Sequence, residues 1–211
     1  MTSLEGSIFR PKDDRKDTKQ VERILPELYD VALDAFGKWL PKEAIEERTV
    51  EASLVVLLSQ AERIVGYAVN DLLSLAGHDV NYFASGFLRR EYQGRGLYAE
   101  LNRVRAALLP ATVLMTRTQN PLVYAQFRKL CLNQGYACEP EEKKIPKEVL
   151  TIARAYSPEV EDSLIVRGVY WNRSLMNDTP LPKGDLERRI WSNVDVGRGD
   201  AVIIVGRKSP Q

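Results

Sequence analysis

The sequence holds one histidine and two cysteines in 211 residues. Cys131 and Cys138 stand seven positions apart, without the paired spacing of a zinc site, and two cysteines cannot form the disulfide framework of a small secreted domain. Reduced intracellular thiols are the simpler expectation, and no metal site is expected. Apolar runs such as Leu54 to Leu58 fall far short of the roughly 18 residues a membrane helix needs. Met1 to Arg10 has no signal-peptide core, so a cytoplasmic protein without a membrane partner is expected. Charge of one sign is also missing: 30 Lys+Arg against 29 Asp+Glu leave a net +1, which removes the field that nucleic-acid binders rely on. With 13 glycines and 11 prolines the chain is neither low-complexity nor collagen-like. What is there, 44% hydrophobic and 28% charged residues, suits one compact domain.

Arg10 to Lys19 is charged and almost free of apolar residues, so residues 1–17 read as a flexible arm and 18–211 as the folded domain. From Thr18 the apolar positions Val21, Leu25, Leu28, Val31 and Phe36 recur at helical spacing, with an interruption expected at Pro26 and an end near Trp39 and Pro41. Ser53–Leu58 and Arg63–Asn70, joined by a short polar link, predict a hairpin. Val80 to Leu88 predicts a strand with Val80, Tyr82, Ala84, Gly86 and Leu88 on one face. Gly86 inside it signals a bulge or a close neighbour. A helix from Arg95 to Pro110 should turn Leu97, Tyr98, Leu101, Val104 and Leu108 inward and Glu100, Asn102 and Arg103 outward. Thr112–Thr116 then reads as a buried strand. Asn120-Pro121 has the form of a helix start, and Gly135 can close that helix. Beyond lie a charged connection, a helix at Lys147–Ala155, a strand at Ser163–Tyr170, an irregular stretch, a short helix at Asp185–Ser192 and a last strand at Ala201–Arg207. Residues 139–211 thus form an extended C-terminal region.

Strand, polar loop with Gly94-Arg95-Gly96, helix and strand make one unit, in which a helix N-terminus and converging backbone N–H groups favour an anion. Phosphate binding is the physical expectation. No Lys-Ser/Thr pair follows the glycines, which disfavours a P-loop, and Ala99 occupies the last glycine position of the dinucleotide pattern. A plain tight turn ahead of a helix remains the bland alternative.

In this context Arg89-Arg90-Glu91-Tyr92-Gln93-Gly94-Arg95-Gly96-Leu97 resembles the acyl-CoA-binding motif of the GCN5-related N-acetyltransferase (GNAT) superfamily, Gln/Arg-x-x-Gly-x-Gly/Ala. Gln93, Gly96 and Tyr98 fall on its three named positions. Tyr98 departs from the usual small residue, and its ring must either make the cofactor groove shallower or turn away into the core. Thr118 to Tyr124 is similar to the family's fifth strand and fourth helix, where an asparagine, here Asn120, is followed seven residues later by an aromatic. That place holds Phe127, which has no hydroxyl, and Gly135-Tyr136 comes about four residues late. The resemblance spans Thr18 to Ala137.

The resemblance implies an α/β fold with a mixed, mostly antiparallel sheet flanked by helices. It also implies acetyl-CoA as acyl donor and an amine as acceptor, in a monomer or homodimer. Phe87, Leu88, Arg89, Gln93, Gly94, Arg95, Gly96, Leu97, Tyr98 and Asn120 would hold acetyl-CoA, with pantetheine on the backbone of Phe87 to Arg89 where two strands splay. A backbone N–H near Leu88 would serve the thioester oxygen. Tyr124 is the candidate acid for the departing thiolate, and a core tyrosine is its bland alternative. Asp71, Asp79, Glu91 and His78 all lie near strand ends, and spacing singles out none of them as a base. A catalytically inactive CoA-binding or interaction module, and a nucleotide-binding protein using the Gly94–Gly96 loop, stay open beside the enzyme.

Overall fold

The computed structural model describes residues 4–37, 40–141 and 144–208. Trp39, near which the first helical stretch was expected to end, lies outside them. The chain forms two compact units, Met1–Leu72 with Phe83–Pro110, and Leu73–Tyr82 with Ala111–Gln211.

The first unit opens with strand β1 (Leu4–Phe9), antiparallel to β2 (Leu54–Gln60) from Leu4↔Gln60 to Phe9↔Val55. Two helices intervene, α1 (Arg15–Phe36) and α2 (Lys42–Val50). β2 turns through Ala61 and Glu62, both at positive φ (48° and 66°), into β3 (Arg63–Leu75), its antiparallel partner. β4 (His78–Leu88) follows, then α3 (Leu97–Leu108). β3 and β4 run from the first unit into the second, where Ala76 and Gly77 at φ 50° and 80° make the turn between them.

Where a flexible arm was expected, residues 4–9 form an edge strand and residues 15–17 the first turn of α1. β1 is six residues long and exposed along nearly its whole length, and only Leu4 and Ile8 mark its apolar face, a pattern too brief to stand out in the sequence. Asp14 caps α1 by accepting from Lys16 N, and Gly37 closes it at φ 64°. The helix passes unbroken through Pro26, because Val21, Leu25, Leu28, Val31 and Ala32 are buried on both sides of it. Burial of Val21, Leu25, Leu28 and Val31 stabilises by about 1.5–3 kcal/mol each, which together outweighs the roughly 3 kcal/mol proline costs inside a helix. Leu54, Val56 and Ala68 pack with Leu101 and Leu109 beneath α3.

The second unit holds β5 (Val113–Thr118), α4 (Pro121–Asn133), β6 (Tyr136–Glu139), α5 (Lys147–Tyr156), β7 (Ile165–Val166), α6 (Asp185–Trp191) and β8 (Ala201–Lys208). β8 is its central strand: β5 pairs along one edge, while β6 and β7 share the other, all antiparallel. Ala201 to Val205 are 0% exposed, the continuous apolar run expected of a strand covered on both faces. At Gly206 a Cβ would stand 2.4 Å from Cys131 Sγ, so only glycine lets α4 lie this close. The strand expected over Ser163–Tyr170 is reduced to two residues, since Leu164 (φ 65°) and Gly168 (φ 61°) break the extended backbone. Strand order is β1-β2-β3-β4-β5-β8-β6 with β7 beside β8, a mixed α/β fold with a mostly antiparallel sheet and flanking helices.

Candidate functional site

After Leu88 the chain makes one 3₁₀ turn, Arg90–Tyr92, and reaches α3 through Gln93-Gly94-Arg95-Gly96. The approach is tied down on several sides. Arg89 donates from N to Val65 O and from Nε to Ile64 O, both at 2.9 Å. Arg90 donates to Asp34 Oδ2 from N and to Asp34 O from Nε, each at 2.8 Å. The Tyr92 hydroxyl donates to Gln60 Oε1 at 2.5 Å, and Gln93 Nε2 reaches back to Leu88 O at 2.9 Å. The glycines beyond are unencumbered: Gly94 (φ +74°) and Gly96 (φ +79°) have no heavy atom within 4 Å of where a Cβ would stand.

Gly96 O accepts from Ala99 N and Glu100 N at 3.1 and 3.2 Å. The N–H groups of Leu97 and Tyr98 precede these and have no carbonyl within the helix to reach. Exposed left-handed glycines, two early N–H groups and the positive end of α3 stand together here, an arrangement that favours an anion over a cation. Arg95 adds a cation, its guanidinium 5.3 Å from the Tyr92 ring centre. The one acid in the first turn of α3, Glu100, is paired with Arg103.

Tyr98 does not enter this loop. Its ring lies against β4, where a Cβ on Gly86 would come within 3.1 Å of Tyr98 Cε2 and 3.4 Å of Arg105 Nη2. Arg105 also sits 4.1 Å from the Phe83 ring centre. Phe83 and Gly86, three residues apart, therefore both face α3, which a regular strand forbids, so the alternation slips once between them. Phe87 faces the other way, 5.1 Å from both the Phe36 and Tyr67 rings. The single expected face of Val80, Tyr82, Ala84, Gly86 and Leu88 is corrected accordingly. At the slip, Ala84 O accepts from Arg48 Nη1 (3.3 Å) and Ser85 O from Arg105 Nη1 (2.5 Å).

Arg105 is 2% exposed, and burial pulls its pKa down to about 10. It holds Asn102 Oδ1 at 2.9 and 2.6 Å. Asn102, expected on the solvent side of α3, is buried with it. The missed signal is the spacing i, i+4, i+7 of Tyr98, Asn102 and Arg105, which places three polar-tipped side chains on one helical face.

In the second unit Asn120 is the N-cap of α4, accepting from Leu122 N at 2.8 Å. Tyr124 is 0% exposed and its hydroxyl donates to Pro140 O at 2.6 Å. Burial holds its pKa above the usual phenol value. Its ring meets Trp191 edge-on at 5.6 Å, and Trp191 Nε1 donates to Gln119 O. Phe127 is buried on the same helix.

Of the groups considered as a base, His78 faces Glu148 at 3.6 Å and Glu91 is paired with Arg63 at 3.0 Å. Burial raises the Asp71 carboxyl, opposed by a hydrogen bond from Ser53. Among the described residues no group of three or more His, Cys, Asp or Glu side chains could hold a metal ion, and no helix is long and apolar enough to cross a membrane.

No family model matches the sequence, and no curated protein matches it. Solved structures do match. The ribosomal-protein-S18-alanine N-acetyltransferase from Escherichia coli aligns with 100% of this chain and 97% of its own at TM-score 0.54 and 14% identity. A GNAT family acetyltransferase from Brucella melitensis in complex with acetyl-CoA aligns over 55% and 76% at TM-score 0.42 and 16% identity. A GNAT family N-acetyltransferase from Escherichia coli in complex with CoA aligns over 65% and 70% at TM-score 0.48 and 14% identity. The chain thus has the fold of the GNAT superfamily, as the sequence resemblance implied.

Proposed function

We propose that the chain is an acyl-CoA-dependent N-acyltransferase that moves an acetyl group from acetyl-CoA to a primary amine by direct attack in a ternary complex. The loop from Gln93 to Leu97 carries this reading. It combines two left-handed glycines with open space beside them, two early helix N–H groups and an adjacent cation, the set a pyrophosphate requires. The Tyr98 ring against Gly86 leaves the loop open.

In the proposed reaction the neutral amine attacks the thioester carbonyl carbon, the C–S bond breaks, and the amine's proton leaves as the thiolate departs. Backbone donors near Leu88 would hold the developing oxyanion. Arg89 N–H already serves Val65 O and Leu88 O already accepts from Gln93, so pantetheine would use the remaining backbone groups of Phe87 and Leu88. Asn120 would shape the end of the groove from its cap position. Tyr124 can act as acid for the thiolate only if its hydroxyl exchanges the Pro140 carbonyl for the sulfur.

That last contact favours a second reading, a CoA-binding module without turnover, in which Tyr124 is a packing residue and Phe127 a missing hydroxyl. Calorimetry with acetyl-CoA, followed by an acetyl-transfer assay over a panel of amines, separates them. Binding with turnover supports the enzyme, binding without turnover the module, and absence of binding removes both.

A further inference from the structure

Four residues far apart in sequence meet in the second unit. Arg117, near the end of β5, lies with its guanidinium 5.1 Å from the Tyr170 ring centre and 5.8 Å from that of Tyr156. Tyr156 in turn lies 4.7 Å from Tyr82 of β4, which is 5% exposed. The Tyr170 hydroxyl donates to the Arg117 carbonyl at 3.3 Å, and Tyr170 N–H donates to Gly199 O, so the segment after β7 is fastened over the strand. Arg117, Tyr156 and Tyr170 are half-buried.

This arginine differs from two other half-buried arginines of the unit. Arg128 is paired with Glu141, and Arg207 reaches Glu148 at 3.3 Å. Among the described residues no carboxylate is paired with Arg117, and its Nε is buried without a hydrogen-bond partner. Glu159 feels the charge, but it is exposed and its carboxylate takes the Ser157 hydroxyl at 2.8 Å. Burial works against the Arg117 charge, and the phenol oxygens of Tyr170, Tyr82 and Tyr156 more than offset it, which keeps the guanidinium charged.

Resting on the acyltransferase reading, we propose that Arg117 with Tyr82, Tyr156 and Tyr170 is the recognition site for a carboxylate carried by the acceptor amine. The guanidinium lies over the faces of Tyr170 and Tyr156, and its N–H donors lie along the edge of its own plane. That edge matches a planar carboxylate in two parallel bonds better than it matches a tetrahedral oxyanion. A half-buried cation with no counter-ion among the described residues is also a charge that an arriving carboxylate neutralises. Tyr156 and Tyr170 both belong to the region beyond Ala137, outside the part that resembles the acyl-CoA unit, which fits a role in choosing the acceptor rather than in holding the donor.

The test uses the full chain and succinate, its uncharged diamide and inorganic phosphate as probes, by calorimetry without acetyl-CoA. Succinate should bind, the diamide and phosphate should not, and Arg117→Gln should weaken succinate by about 10-fold or more, the effect of one lost charge-assisted pair. Arg117→Lys, which keeps the charge without the fork, should fall between, and it decides the matter if the Gln variant fails to fold. With a working donor, KM for β-alanine should rise at least about 10-fold more than KM for its amide in the same variant, while acetyl-CoA affinity holds. Succinate that does not bind, binds equally to both variants, or is displaced equally by phosphate overturns the proposal. Because the succinate arm needs no turnover, a failure of the acyltransferase reading would show separately, as absent acetyl-CoA binding.

Discussion

The Tyr98 ring lies against Gly86, so close that a Cβ on the glycine would stand 3.1 Å from Tyr98 Cε2. A large residue where the motif calls for a small one is thus matched by the smallest residue on the facing strand. Gly86→Ala should force the ring or Arg105 to move, at about 1–3 kcal/mol by the usual cost of overpacking. Tyr98→Ala in the same chain should recover part of that loss, giving a clearly non-additive cycle in urea denaturation. Additive effects would mean that the two side chains do not share this space.

Acetyl-CoA should bind in the micromolar range, about −8 kcal/mol, and Gly96→Val should weaken it by at least about 10-fold. Valine at φ +79° is strained, and its branched side chain would fill the open space at the helix start. Calorimetry on a variant that still melts cooperatively is the measurement. Unchanged affinity would take the loop out of the site.

Tyr67 is 0% exposed and its hydroxyl is buried with no partner among the described residues. Tyr67→Phe should therefore raise stability by about 1–3 kcal/mol at neutral pH, the cost of an unpaired buried hydroxyl. The pH dependence follows in sign. Burial lifts the folded pKa far above 10, with the Arg48 charge only partly opposing it. Below pH 10 both states keep the proton; above it the unfolded chain releases the proton first, so stability falls as pH rises. Denaturation midpoints measured from pH 8 to 11 should fall less steeply in Tyr67→Phe than in the parent. A destabilised variant with the parent's slope would show that the hydroxyl is paired.

What the sequence made legible follows from where burial is one-sided. α1, the β2–β3 hairpin, α4 with its Asn120 cap, and β8 all announce themselves through apolar spacing or a cap residue. α2 was missed because only Ile45 and Thr49 of its nine residues are buried, too few to make a period. β6 was missed because four residues are too short to show alternation. The glycine loop was readable since its chemistry is local. The slip between Phe83 and Gly86 was not, because a bulge hides inside an otherwise plausible alternation. Arg117 and its tyrosines were beyond reach for a different reason: positions 82, 117, 156 and 170 meet only through tertiary folding.

Tyr124 decides between the two functional readings, and Tyr124→Phe tests it by removing one oxygen from an otherwise unchanged ring. If the hydroxyl serves only Pro140 O, the variant should lose the worth of one hydrogen bond, about 0.5–1.5 kcal/mol, together with a cost for the carbonyl left unpaired. Turnover should then stay within a few-fold of the parent. If the hydroxyl protonates the thiolate, turnover should fall by about 100- to 10,000-fold with acetyl-CoA affinity unchanged. The buried ring, the 2.6 Å bond to Pro140 and the pKa held above the usual phenol value by burial all favour the first outcome. Turnover and melting temperature are therefore measured on the same preparation. A lower melting temperature with turnover intact assigns Tyr124 to packing and leaves the proton of the departing thiolate to solvent or to a group on the acceptor; intact stability with collapsed turnover assigns it the acid's role despite its present hydrogen bond.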